Sequence, residues 1–97
     1  QLAYVEVTGR RLHFNLADGT VHEVNGALNE YADELLSRPE FIRIHRAYII
    51  NMYQVAQLSA KDVQLLSGKV LPISRLLSTE VQKKYMQLMF ERREDTQ

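Results

Sequence analysis

Arg11-Leu12-His13-Phe14-Asn15-Leu16-Ala17-Asp18-Gly19-Thr20-Val21-His22-Glu23-Val24 sets the architecture of this chain. Leu12, Phe14 and Leu16 alternate with His13 and Asn15, the period of a strand with one apolar face. Asp18-Gly19 follows, a dipeptide that tolerates the positive φ angles of a tight hairpin. Thr20 to Val24 then returns as the partner strand. With Asp18 and Gly19 as the central pair of the turn, His22 is expected opposite Asn15 and on the same face as His13.

Working outward, Leu2 to Val7 reads as a further strand, joined to this hairpin by the turn Thr8-Gly9-Arg10. On the other side, Asn25-Gly26 breaks the pattern and a helix is expected from about Ala27 to Ser37. Leu28, Tyr31, Ala32, Leu35 and Leu36 fall at helical spacing on it, and Pro39 stops it. Phe41 to Ile44 and Tyr48 to Ile50 are strand-like, interrupted by His45-Arg46-Ala47. Tyr53 to Leu58 and Val63 to Leu66 make a second hairpin across Ser59-Ala60-Lys61-Asp62. Ser67-Gly68-Lys69 turns into a strand over Val70 to Ile73. A final helix is expected from Arg75 to about Arg92, capped by Ser74, with Leu77, Val81, Tyr85, Leu88 and Met89 on one stripe. The charged end, Glu91 to Gln97, is expected to fray. The order β-β-β-α-β-β-β-β-α implies a mostly β, antiparallel architecture.

The 97 residues suit a single domain with a small core. Cysteine is absent, which excludes a disulfide framework and thiolate chemistry and fits a cytoplasmic location. No apolar run is long enough to span a bilayer. The net charge is zero, yet its distribution is uneven. Between residues 13 and 42, six acidic side chains face Arg38 alone, a net of −5; between 43 and 84, seven basic side chains face Asp62 and Glu80, a net of +5. Such a split gives one face that attracts phosphate and one that turns away from it.

Catalytic and cofactor chemistry finds no foothold. His13, His22 and His45 are dispersed, without a four-ligand metal set. No nucleophile elbow surrounds any serine. The four glycines stand singly in turns, so no phosphate-cradling loop exists. Asp33 and Glu34 read as the solvated face of a helix. No enzyme and no cofactor is expected.

Two blocks are more specific. Phe41-Ile42-Arg43-Ile44-His45-Arg46-Ala47-Tyr48-Ile49-Ile50-Asn51 closely resembles the signature F-x-R-x-H-R-S-Y-h-V-N (h for hydrophobic) of LytTR DNA-binding domains. Gly68-Lys69-Val70-Leu71-Pro72-Ile73-Ser74-Arg75 is similar to that family's G-x-x-L-P-V-S-R. One hairpin separates the blocks, as in the family, and the resemblance extends from about Tyr4 to Leu77.

The resemblance implies an elongated arrangement of short antiparallel sheets with one short and one C-terminal helix. It implies binding of promoter DNA at paired direct repeats in transcriptional regulation. It also implies an N-terminal receiver domain in a full-length two-component response regulator, and a possible homodimer on DNA. Family domains begin with one or two further strands, so the chain is expected to be a fragment whose first sheet lacks a strand and exposes an edge.

Arg75 matches the family's base-reading arginine, and its planar fork suits guanine O6 and N7. The alternative for Arg75 is pairing with Glu80. Arg46 takes the variable DNA-facing place in the His-Arg pair; its alternative is phosphate contact alone. Arg10 and Arg11 fall in the first loop, where one of them is expected to touch a base. His45 is placed either on DNA or in a loop-fixing role, with the loop-fixing role favoured. Ser78, Thr79, Lys83 and Lys84 are expected to contact phosphate. Asn51 is expected to bond its own backbone, and Phe41, Ile44, Tyr48 and Ile50 to be core. The competing functional reading is a protein-interaction or dimerisation module, using the stripe of the final helix.

Overall fold

The computed structural model describes residues 1–95, with side chains through Arg92. Five strands form the first sheet and three form the second. The elements are β1 (Leu2–Thr8), β2 (Arg11–Leu16), β3 (Val21–Asn25), α1 (Leu28–Leu36), β4 (Phe41–His45) and β5 (Tyr48–Asn51). After a single 3₁₀ turn at Met52–Gln54 come β6 (Val55–Leu58), β7 (Asp62–Leu65), β8 (Val70–Pro72) and α2 (Ser78–Asp95). Every strand pairing is antiparallel. The molecule measures 41 × 28 × 26 Å.

The first sheet is covered on both faces because its strands carry apolar residues of both parities. Val5, Leu12 and Ile49, all fully buried, pack with Phe41 against Leu28 and Ala32 of α1. On the opposite face Tyr4, Ile42, Ile44 and Ile50 meet Val63, Leu65 and Leu71 of the second sheet and Val81 and Leu88 of α2. Burying a side chain of this size stabilises by about 1.5–3 kcal/mol, which is how so small a chain holds three layers together. The expected core residues Phe41, Ile44 and Ile50 are buried, and Tyr48 packs at the margin.

The stripe Leu77, Val81, Tyr85, Leu88 and Met89 lies against this core. That removes the surface on which the dimerisation reading rested. Leu36, expected on the packed side of α1, is instead 40% exposed.

Three other expectations are corrected. The Asp18-Gly19 loop has three residues, not two: the Leu16 N–H donates to Thr20 O at 2.8 Å, the Gly19 N–H donates to Leu16 O at 3.0 Å, and Gly19 takes φ +93°. This is a turn followed by a left-handed residue, which only glycine adopts cheaply. The extra residue shifts the register by one, pairing His22 with Phe14 and His13 with Glu23. The two histidines therefore point to opposite faces of the sheet.

Tyr53 begins no strand, because the Asn51 carboxamide oxygen accepts its N–H at 3.0 Å and winds Met52–Gln54 into a 3₁₀ turn. Ser74 is no helix cap: its carbonyl accepts the Leu77 N–H at 3.0 Å in a separate turn, and α2 starts at Ser78. The helix then runs to Asp95 rather than Arg92, and the expected fraying at Thr96 and Gln97 lies outside the described residues. The strand order is β3-β2-β1-β5-β4 in the first sheet, with β1 central, and β6-β7-β8 in the second.

Candidate nucleic-acid interface

Three turns meet at one end of the molecule. Gly9-Arg10 joins β1 to β2, with Thr8 paired to Arg11; Gly9 at φ +62° supplies the positive angle that a two-residue hairpin favours. Arg46-Ala47 joins β4 to β5, with His45 paired to Tyr48. Because β1 and β5 are antiparallel neighbours, the end of β1 lies beside the start of β5, and the Val7 N–H donates to Ala47 O at 3.0 Å. Arg10 and Arg46 thus share a rim, with their turn centres roughly 10 Å apart at two strand spacings.

The third turn, Ser74 to Leu77, is fastened alongside: the Ser74 N–H donates to Ile44 O at 2.7 Å, one residue before His45. Arg75 therefore stands on the same rim as Arg46. The Ser59–Asp62 turn is tied to this place too, since the Ile73 N–H donates to Lys61 O at 2.9 Å and the Ser78 hydroxyl to Ala60 O at 2.7 Å.

Arg10, Arg46, Lys61 and Arg75 are all exposed. Among the described residues none of the four takes part in an ion pair. Arg11 differs, for its guanidinium is joined to Glu23 across the β2–β3 ladder. Of the two arginines in the first loop, Arg10 is the one whose head is unengaged.

The turn that carries Arg46 is held by side chains. Two-residue hairpins favour positive φ, yet no residue other than glycine has one here. An irregularity between Arg43 and His45 accommodates the mismatch. Arg43 Nη2 donates to Arg46 O at 2.9 Å, and His45 Nδ1 accepts the Ala47 N–H at 3.1 Å. His45 is half-buried against Tyr48, with ring centroids 5.6 Å apart. Behind the turn, burial and the Glu6 carboxylate, which accepts the Tyr48 hydroxyl at 3.2 Å, raise the Tyr48 pKa above the ordinary phenol value.

The phosphate candidates separate. Thr79 is exposed in the first turn of α2, while the one hydroxyl proton of Ser78 is already directed at Ala60. Lys83 is exposed one turn further along. Lys84 is not brought to the rim: it pairs with Glu80 at 3.9 Å and lines a hollow with Pro39, Met52 and Leu88, at the other end of β4. Arg75 is not paired with Glu80.

Arg43 and Lys61 were not singled out from sequence. Arg43 stands inside the F-x-R-x-H-R block, so its signal was visible without its role; Lys61 looked like any charged turn residue.

Cationic side chains on rigid turns at one end of an antiparallel β scaffold form a surface complementary to a polyanion. The chain belongs to the LytTr DNA-binding domain family, whose model matches residues 1–86. Membership makes it a DNA-binding domain of the kind that serves transcriptional regulation. A comparison with curated protein sequences finds no match. Among solved structures, the fold is similar to a LytTr DNA-binding domain described as that of a methyl-accepting/DNA response regulator from Bacillus cereus. The TM-score is 0.72 at 20% identity, covering 86% of this chain and 79% of that one. Among the described residues, no helix is long and apolar enough to cross a membrane.

Proposed function

We propose that this rim reads promoter DNA, with Arg75, Arg46 and Arg10 entering major grooves at paired direct repeats. The observation that carries it is the pair of backbone bonds, Val7 to Ala47 and Ser74 to Ile44, that gather three separate turns into one row. An arginine fork on a stiff turn loses little freedom on meeting guanine, so each good contact discriminates by about 1–3 kcal/mol. Thr79 and Lys83 supply phosphate contacts on this reading, and Lys61 adds to the same field. Arg11, held by Glu23, flanks the site, and His45 and Arg43 shape it.

The Bacillus cereus relative is described as a response regulator, which supports a receiver domain preceding this one in the full chain. Pairing on adjacent repeats would then follow activation of that domain.

The test is selection of a site from a random duplex pool, followed by anisotropy titrations. Arg75→Ala and Arg46→Ala should each weaken the selected site about 5- to 150-fold, the equivalent of 1–3 kcal/mol, and relax preference at one base pair. Lys83→Ala should weaken all sequences alike. Equal loss on selected and unselected DNA for both arginine variants would reduce them to phosphate contacts and overturn the base-reading proposal.

A further inference from the structure

Leu76 is 94% exposed, whereas the other exposed large apolar side chains range from 40% to 69%. Single exposed leucines are common on protein surfaces and mean nothing alone. Position distinguishes this one. The Leu77 N–H donates to Ser74 O at 3.0 Å, which makes Arg75 and Leu76 the two central residues of the turn. On one side that turn is anchored by Ser74 to Ile44 O, and on the other by the Ser78 hydroxyl to Ala60 O. Leu77 packs into the core, so Leu76 cannot follow it inward without undoing both anchors. The chain thus holds an isobutyl group in water at the tip of a fixed turn, next to the arginine proposed to enter a major groove.

We infer that Leu76 reads a thymine, packing on the C5-methyl group of a base adjacent to the one contacted by Arg75. The major groove displays one apolar feature, that methyl group, and a short aliphatic side chain is the complementary surface. Arg75 has five donors and suits a guanine edge; Leu76 has none and suits only the methyl. The two neighbouring tip residues together specify a guanine–thymine step, a preference neither creates alone. This inference rests on the rim reading bases and adds the second base that this turn recognises.

The test uses the duplex selected by the wild-type domain, resynthesised with each thymine replaced singly by deoxyuridine. That change removes one methyl group and leaves every hydrogen-bonding atom in place. At one thymine beside the Arg75-dependent position, the wild type should bind about fourfold more weakly, the worth of one buried methyl group. Leu76→Ala should bind the thymine and uracil duplexes equally, with unchanged thermal stability because the side chain contributes no packing. Leu76→Gln, which keeps length but not apolarity, should behave the same way.

Wild-type indifference to every such replacement would overturn the assignment. So would a Leu76→Ala domain that keeps the wild-type sensitivity. If the pool yields no enriched sequence at all, base reading by the rim fails and this inference falls with it, an outcome separate from the other two.

Discussion

Arg43→Ala tests whether the turn carrying Arg46 is held by side chains. The guanidinium donates to Arg46 O at 2.9 Å in an exposed setting. A hydrogen bond to a charged group contributes about 1.5–3 kcal/mol when sheltered, and exposure cuts this to roughly 0.5–1 kcal/mol. For a domain of this size that corresponds to a fall in Tm of about 2–8 °C. Losing the same bias lowers the fraction of turns in the bound geometry, so DNA affinity should fall roughly two- to fivefold. Base preference at the Arg46-dependent position should broaden.

The salt dependence separates positioning from contact. If Arg43 acts only through the turn, the slope of log affinity against log salt stays the same in Arg43→Ala. If it touches phosphate, the slope drops by about 0.9. Arg43→Lys keeps the charge and a donor able to reach the carbonyl, so it should recover part of the affinity. Anisotropy titrations at several salt concentrations measure all of this. Unchanged affinity and base preference in Arg43→Ala, or a slope reduced by a full phosphate contact, would refute the positioning role.

Other expectations follow from the same contacts. Asn51 is buried, with its carboxamide donating to Leu2 O at 2.8 Å and accepting from the Tyr53 N–H at 3.0 Å. Asn51→Ala strands both backbone groups and should cost about 1–3 kcal/mol in urea unfolding, with DNA binding intact at low temperature. Glu23→Gln releases Arg11 at little cost in stability, because exposed pairs contribute about 0.2–1 kcal/mol. It should strengthen binding to unselected DNA and steepen the salt slope; an unchanged slope would mean that Arg11 stays away from phosphate. The Tyr48 pKa is raised by burial and by Glu6, so its contribution is present below the unfolded value of about 10 and is lost as pH climbs toward the folded one. Tyr48→Phe should therefore flatten part of the alkaline loss of stability, seen by circular dichroism between neutral pH and pH 11.

Much of the scaffold was legible because the strands carry their periods openly. Leu12-Phe14-Leu16 fixed the face of β2, and Gly9-Arg10 marked a rim turn correctly. The Asp18-Gly19 register failed because the dipeptide is compatible with both two- and three-residue loops, and only the backbone bonds of Leu16 decide between them. The start of α2 was misplaced since nothing local shows that Ser74 closes a separate turn, its carbonyl accepting the Leu77 N–H, before the helix begins at Ser78.

The site was legible only as separate residues. Nothing local in Arg10, Arg46 and Arg75 reveals that β1–β5 pairing and the Ser74–Ile44 bond gather them, because those contacts join positions far apart in the chain. For the same reason Lys84 looked equivalent to Lys83 although it lines the hollow beside Pro39. Leu76 falls within the expected final helix, so its place at the tip of a turn had no local signal.

Backbone amide exchange, measured residue by residue with and without the selected duplex, tests the shared rim directly. Gly9-Arg10, Arg46-Ala47 and Arg75-Leu76 should gain protection together, while Asp18-Gly19 at the other end of β2 and Gln87 to Phe90 in α2 should not change. Protection centred on Asp18-Gly19 or on α2, with those three turns unaffected, would contradict the account.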